Sequence, residues 1–157
     1  ERQLTQGAWE VTRYYGFDPK SAMIYYQSTA NGSINRDIYS VSIQGTRNQR
    51  LTKGMGTNAA DFSTDFTYFI NTFSNSTTPY ISTLNDSKSG KVIREIKNNE
   101  ALLTKLKDYK MSPKEYGTIA INGNDLNFEI GIAFFVYLKI SRKYTSHKGI
   151  KMIKCSY

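Results

Sequence analysis

A mainly β fold, made of two four-stranded antiparallel sheets followed by a short helix and a β-hairpin, is what this sequence predicts. Most of the stretch from Trp9 to Thr52 is repeated about 43 residues later, between Asn58 and Lys97. Each copy divides into four short runs separated by segments rich in Gly, Asn, Asp and Pro. Twelve Tyr and eight Phe supply side chains that suit pleated, half-buried strands. A repeat of this length that resolves into four strands is the period of a β-propeller blade, a small sheet stacked face to face on its neighbours. Two copies make a partial propeller, an open arc rather than a closed ring.

Residues 1–8 read as the outer strand and connector of a preceding blade, because RQLTQG returns as QRLTKG at Gln49 to Gly54, just before the second copy. The first copy offers strands at Glu10 to Phe17, Ala22 to Thr29, Asp37 to Ile43 and Gln49 to Thr52, and the second offers AADFS, FTYFINTFS, PYISTLN and VIREIK. Met23, Tyr25 and Gln27 alternate with Ile24, Tyr26 and Ser28, and Phe66, Tyr68, Ile70 and Thr72 alternate with Thr67, Phe69, Asn71 and Phe73. Both faces are largely apolar, the pattern of a sheet packed between two others. Pro19 falls in a turn and Pro79 at a strand start, where a missing N–H breaks no ladder bond.

After Lys97 the period changes. NNEALLTKLKDYKM places Asn98 or Asn99 at the N-cap, Glu100 in the first turn, Leu102, Leu103, Leu106 and Tyr109 at helical spacing, and Lys105, Lys107 and Lys110 toward the negative end of the dipole. Ser112-Pro113 ends this helix. Strands at Glu115 to Ile121 and Leu126 to Glu129 are joined by NGND, and Asn-Gly is a strong hairpin signal. From Ile130 the run IGIAFFVYLKI reads as a buried strand, and the Lys-rich, Ile-rich end that follows lacks a coherent period and is expected to fray. The expected division is therefore 1–98 for the two blades, 99–129 for the helix and strands, and 130–157 for a divergent basic tail.

Composition excludes several function classes. The single cysteine, Cys155, rules out an internal disulfide and a multi-cysteine zinc site. No run approaches the roughly 20 apolar residues of a spanning helix, and ERQLTQGAW lacks a signal-peptide pattern. The chain begins with Glu, which fits a segment of something longer. Of the net charge of +8, residues 129–157 supply +5, from Lys139, Arg142, Lys143, Lys148, Lys151 and Lys154 against Glu129. The repeats carry no basic stripe that would track a phosphate backbone, so no nucleic-acid partner is expected. The basic tail is too short to span a membrane and its lysines do not share a face, so no membrane partner is expected either.

In order, these pieces resemble one family, that of dipeptidyl peptidase IV among the prolyl oligopeptidase-type serine peptidases. The similarity is carried by LTQGAWEVT, by YYQST followed by RDIYSVSI, by FSTDFTYFINTFSNSTTP, by VIREIKNNEALLTKL and by MSPKEYGTIAINGNDLNFE. It runs collinearly over about residues 2 to 129 and coincides with the repeat boundaries. The resemblance implies an eight-bladed propeller that caps an α/β-hydrolase domain and restricts which peptides reach its active site. This chain would hold the last two blades and the entry into a missing hydrolase domain. A periplasmic, secreted or cell-surface location is what the resemblance favours, and the residues themselves do not fix the compartment. After Phe128 the family's Pro-rich, Lys-Tyr-Pro passage is not matched, so 130–157 reads as a truncated or frameshifted end. An intact hydrolase frame beside this one in the gene is the expected finding.

The family reaction releases N-terminal dipeptides after Pro or Ala through a serine acyl-enzyme. It needs a Ser on a G-x-S-x-G elbow, a base His, an orienting Asp and an oxyanion donor. No G-x-S-x-G occurs in the sequence. The family's oxyanion tyrosine and its substrate-holding glutamates and arginine have no matching positions, so no catalytic residue carries over. His147, the single histidine, reads as a solvated residue in a Lys-rich tail, and Cys155 has no sequence-local base, although Lys151 and Lys154 favour its thiolate. Tyr25, Tyr26, Tyr68 and Phe69 read as core packing rather than a ligand-stacking platform. Asp18, Asp61, Asp65, Asp86 and Asp125 are expected at turns, bonding nearby N–H groups, with no metal and no cofactor. N-x-S/T sequences stand at Asn31, Asn75 and Asn85.

The preferred reading is thus a non-catalytic propeller segment, inactive alone, of a dipeptidyl peptidase IV-like enzyme. Its partners would be the remaining blades, the hydrolase domain and, in the whole enzyme, peptide substrates. The alternative is a stand-alone β-sheet module that binds a peptide or protein, and exposed sheet edges would allow homo-oligomers.

Overall fold

In a computed structural model that describes residues 2–109, 114–131 and 152–155, the chain divides into two compact units, Glu1–Glu100 and Ala101–Tyr157. The first unit holds two antiparallel meanders. One is β1 (Val11–Asp18), β2 (Met23–Ser28), β3 (Asp37–Ser42) and β4 (Asn48–Arg50); the other is β5 (Thr57–Phe62), β6 (Tyr68–Ser74), β7 (Ile81–Asp86) and β8 (Val92–Lys97). The mainly β fold and the repeat are as the sequence reading has them.

Short polar side chains shape the turns. Between β1 and β2 the Asp18 carboxylate accepts from the Lys20 N–H at 2.9 Å and from the Ser21 hydroxyl. Between β5 and β6 Asp65 accepts from the Thr67 N–H at 3.1 Å and from the hydroxyls of Ser63 and Thr67. Between β7 and β8 Asp86 accepts from the Ser89 N–H at 2.8 Å. These three acids do what turn acids do. Asp61 and Asp125 differ from expectation: they lie inside strands, β5 and the strand Asn124–Gly131, opposite Ile70 and Ala120.

The register shows what the repeat means in three dimensions. Tyr26 stands opposite Tyr14 and Tyr39 in the first sheet, and Phe69 stands opposite Phe62 and Asn85 in the second. Directly opposed residues share a face. Each sheet therefore has a back, carrying Tyr14, Tyr26 and Tyr39 or Phe62, Phe69 and Asn85. Its front carries Tyr25, Gln27 and Ile38 in the first sheet and Tyr68, Ile70 and Leu84 in the second.

The front of the first sheet packs on the back of the second. Tyr25, Ile38 and Leu51 meet Ala60 and Phe69 in one core, with Tyr15, Met23, Phe62 and Phe66 around them. The back of the first sheet has a separate core of Tyr26, Tyr39 and Val41, covered by Leu4, Trp9 and Ile24. Leu4 and Leu51 are the same position of the RQLTQG and QRLTKG motifs, so the motif repeats a packing role. β4 ends at Arg50, two residues short of expectation: the Leu51 N–H still donates to Ile38 O at 2.8 Å, but the Ile38 N–H donates to the Thr52 hydroxyl at 3.1 Å instead of a backbone carbonyl.

Asn98 accepts from the Glu100 N–H at 3.2 Å ahead of the helix α1 (Glu100–Leu106), and none of the helix residues is buried. The helix stops well before Ser112-Pro113, in a turn where the Lys107 N–H donates to the Thr104 carbonyl. Ser112 and Pro113 lie outside the described residues. A helix this short gains little from its own propagation.

In the second unit β9 (Glu115–Ile121) and β10 (Asn124–Gly131) form the expected hairpin around Asn122 and Gly123, at φ 52° and 79°. Two positive φ values in a two-residue loop are what Asn-Gly supplies, and they match the twist of the strands. Met152–Cys155 forms β11, antiparallel to β10. This corrects the expectation of a frayed end: the free edge of β10 offers unpaired backbone groups that even a short segment can satisfy. Most of the IGIAFFVYLKI run, and His147, lie outside the described residues. Among those described, no helix is long and apolar enough to cross a membrane.

Candidate functional site

Among the described residues the most elaborate constellation is the seam between the two sheets. Its apolar part is aromatic: the Tyr25 ring lies 4.7 Å from Phe62 and 5.4 Å from Phe66, and Phe62 lies 5.1 Å from Phe69, centroid to centroid. Aromatic pairs at such spacings contribute about 0.5–1.5 kcal/mol each beyond the area they bury. Phe66 reaches this place from a turn with φ 54°, a left-handed backbone that costs a non-glycine residue about 1–2 kcal/mol and is offset by the stack.

Beside the rings runs a buried polar network centred on Asp37, at the start of β3. Its Oδ1 accepts from the Arg50 guanidinium at 3.0 Å, the Thr52 hydroxyl at 2.8 Å and the Asn58 amide at 3.0 Å. Asp37 is 0% exposed. Arg50 and Thr52 come from the first repeat, and Asn58 comes from β5 of the second sheet, so one carboxylate ties both sheets. Asn71 donates to Asn58 Oδ1 at 3.0 Å, and Gln27 donates across the seam to the Asn58 carbonyl at 2.6 Å. The backbone adds its own ties: the Arg36 N–H donates to Gly56 O at 2.9 Å, and the Asn58 N–H donates to Arg36 O at 2.8 Å. The Ala60 N–H donates to the Tyr15 hydroxyl at 3.2 Å. Burial pushes the phenols of Tyr15, Tyr25, Tyr26 and Tyr39 up, so they stay neutral well into alkaline solution.

This arrangement can hold two sheets in register, and its hydroxyl–carboxylate pair, Thr52 on Asp37, is buried within it. Tyr25, Tyr26 and Phe69 are buried in the two cores, as core packing requires, whereas Tyr68 is 45% exposed. Asn85 is buried, accepting from the Thr83 hydroxyl and donating to Gly90 O, so its N-x-S sequence is inaccessible. Asn75 is exposed at the β6–β7 turn, where its Oδ1 accepts from the N–H groups of Thr77 and Thr78. Among the described residues no three His, Cys, Asp or Glu side chains gather as a metal site would need. Cys155 lies in β11 and Lys151 outside the described residues. A surface depression is lined by Arg2, Gln3, Leu4, Gln44, Gly45 and Asn48.

Sequence reading missed the Asp37 network. Its one visible signal was an acid placed directly ahead of the apolar run IYSV, followed by the twice-occurring R/Q-L-T motif.

Comparison with known proteins points one way. Residues 1–80 match the family model described as the dipeptidyl peptidase IV N-terminal region. The dipeptidyl peptidase 4 of Arthroderma otae is 35% identical over 130 residues, covering 81% of this chain and 17% of the relative. That of Trichophyton rubrum is 34% identical over the same extent. The crystal structure of Porphyromonas gingivalis dipeptidyl peptidase 4 superposes with a TM-score of 0.77 at 36% identity, covering 86% of this chain and 19% of that one. A structure from Bacteroides ovatus shares the fold at 21% identity and a TM-score of 0.69. This chain thus spans about a sixth of the length of the curated relatives it matches.

Proposed function

The chain belongs to the dipeptidyl peptidase IV family, and from that premise we propose that it serves as the propeller part of a serine-type dipeptidyl peptidase. In this reading 1–98 are the last two blades, 99–129 lead toward an α/β-hydrolase domain, and 130–157 are a divergent tail. The blades restrict the passage of peptides to an active site that other residues build. The whole enzyme releases X-Pro or X-Ala dipeptides from peptide N-termini, and this chain alone performs no hydrolysis.

The observation that carries the proposal is the unequal covering of the two sheets. The second presents, on its free front, the positions that the first uses to seat a neighbour, and such a face suits a member of a ring. The lack of a G-x-S-x-G elbow supports the assignment of chemistry elsewhere. Incubation of the purified chain with Gly-Pro and Ala-Pro chromogenic substrates should give no turnover. Hydrolysis that disappears when one of the chain's own serines is replaced would overturn the proposal.

A further inference from the structure

We propose that one buried water molecule is built into the seam, donating its two protons to Asp37 Oδ2 and Asn71 Oδ1 and accepting from Arg50 Nε. Such a site needs only the two sheets that the chain itself supplies, and it goes beyond the role proposed for them. The three atoms are buried and make no hydrogen bond to any described residue. Asp37 is 0% exposed and Asn71 8%. Buried polar groups of folded proteins are paired, either with protein or with ordered water. Here the donors and acceptors already in use decide what the remaining three can take.

The orientation of both amides follows from the Asp37 carboxylate, which only accepts. Its Oδ1 takes the Asn58 Nδ2 donor at 3.0 Å, and Asn58 Nδ2 also donates to Arg36 O at 3.1 Å. Asn58 Oδ1 is thereby left needing a donor, which Asn71 supplies from its own Nδ2 at 3.0 Å. Asn71 Oδ1 must then be an acceptor. Asp37 Oδ1 is filled by Arg50, Thr52 and Asn58, so the carboxylate's unused capacity sits on Oδ2. Arg50 spends Nη2 on Asp37 Oδ1 and Gly54 O and retains Nε–H as a donor. Two acceptors and one donor remain, and water, with two protons and two lone pairs, answers all three. A metal cation would suit the two oxygens but would meet the Arg50 guanidinium, and an anion would meet the Asp37 carboxylate. Buried waters typically make about three hydrogen bonds to otherwise unpaired groups. Because Asp37 and Arg50 belong to β3 and β4 and Asn71 to β6, this water is a further bond between the sheets. Held in that way, it exchanges far more slowly than surface water.

A high-resolution crystal structure of the chain, joined to oxygen-17 magnetic relaxation dispersion in solution, tests this. The crystal should show one rounded peak at about 2.7–3.2 Å, ordinary hydrogen-bond distance, from Asp37 Oδ2, Asn71 Oδ1 and Arg50 Nε. Relaxation dispersion should detect a water that stays longer than the chain's tumbling time. Asn71→Leu, which keeps nearly the same size and removes one acceptor, should lose that water while circular dichroism shows the sheets intact. Arg50 Nε closing directly on Asp37 Oδ2 would overturn the proposal, as would a peak at the shorter distances of a bound calcium ion, about 2.3–2.6 Å from the oxygens. A long-lived water signal unchanged by Asn71→Leu would overturn it too. Should that variant fail to fold, the crystal of the unaltered chain decides alone. Turnover of peptide substrates has no bearing on these results, so this proposal and the proposed function fail separately.

Discussion

The two sheets share strand count and order, yet one is covered on its front and on part of its back and the other on its back alone. The first has its front sealed by the second sheet and its back sealed in part by Leu4 and Trp9. The second has its back sealed and its front in water, with Tyr68 and Ile70 exposed. Identical topology therefore does not fix burial; position in the stack does. The side chains of β6 record their destined neighbours even where no neighbour is present.

The largest expected effect falls on the link between the sheets. Asp37→Ala leaves the buried Thr52 and Asn58 donors without their acceptor, at about 1–3 kcal/mol each, whereas the part-exposed Arg50 guanidinium keeps its bond to Gly54 O. Urea unfolding would show it as a lowered midpoint. An effect below about 1 kcal/mol, the range of an exposed pair, would mean the network is open to water in solution and the seam is held by the rings alone.

Neighbouring residues on β6 give the next test. Phe69→Ala should cost about 3–5 kcal/mol, because it empties a packed site in the seam. Tyr68→Ala, one residue away on the free front, should stay within about 0.5 kcal/mol at concentrations where the chain is a monomer. Equal losses at both positions would show that the front of the second sheet is covered in solution.

A smaller difference separates two glycines that play one role. The β3–β4 and β7–β8 turns carry Gly45 at φ 75° and Gly90 at φ 72°, each beneath the backbone of the conserved-in-repeat leucine, Leu4 or Leu51. A Cβ at Gly90 would lie 2.0 Å from Leu51 O, but one at Gly45 would lie 3.3 Å from Leu4 O. Gly90→Ala should cost about 1–3 kcal/mol from backbone strain plus displacement of Leu51, and Gly45→Ala should cost less.

The gentlest test is titration. Hydrogen bonds from the Ser21 and Ser89 hydroxyls hold the Asp18 and Asp86 carboxyls below the usual range. A depressed folded-state pKa contributes stability above the ordinary carboxylate range, about pH 4, that is lost as pH falls through the lower value. The buried phenols act in the opposite sense: raised, they favour the folded state below about pH 10 and lose that advantage above it. All four belong to the first sheet. Acid should therefore weaken both sheets and alkali chiefly the first, a difference that amide exchange across the pH range would resolve by sheet.

Much of this fold was legible because its signals are local or repeated. Asn122-Gly123 declared the hairpin through its φ requirement, Asp18, Asp65 and Asp86 declared their turns, and RQLTQG against QRLTKG marked the unit. The seam network was not legible, since Arg50 meets Asp37 only when β4 pairs with β3, and Asn58 joins them only when the second sheet folds back onto the first. Nor could alternation reveal which apolar face would be covered: Tyr25 and Tyr68 look alike in sequence and differ in what lies over them. β11 escaped notice because its partner edge, not its own composition, makes it a strand.

Trp9 is the single tryptophan, and its ring stacks on Tyr26 at 6.3 Å. Indole emission thus reports one place alone, the outer half of the first sheet's back. Heating followed by emission and by circular dichroism would give coincident curves if the leading segment and both sheets melt as a unit. An earlier emission change would identify residues 2–9 as a detachable cover, and with it a natural optical gauge of when the surface bearing Tyr14 and Val11 becomes wholly available.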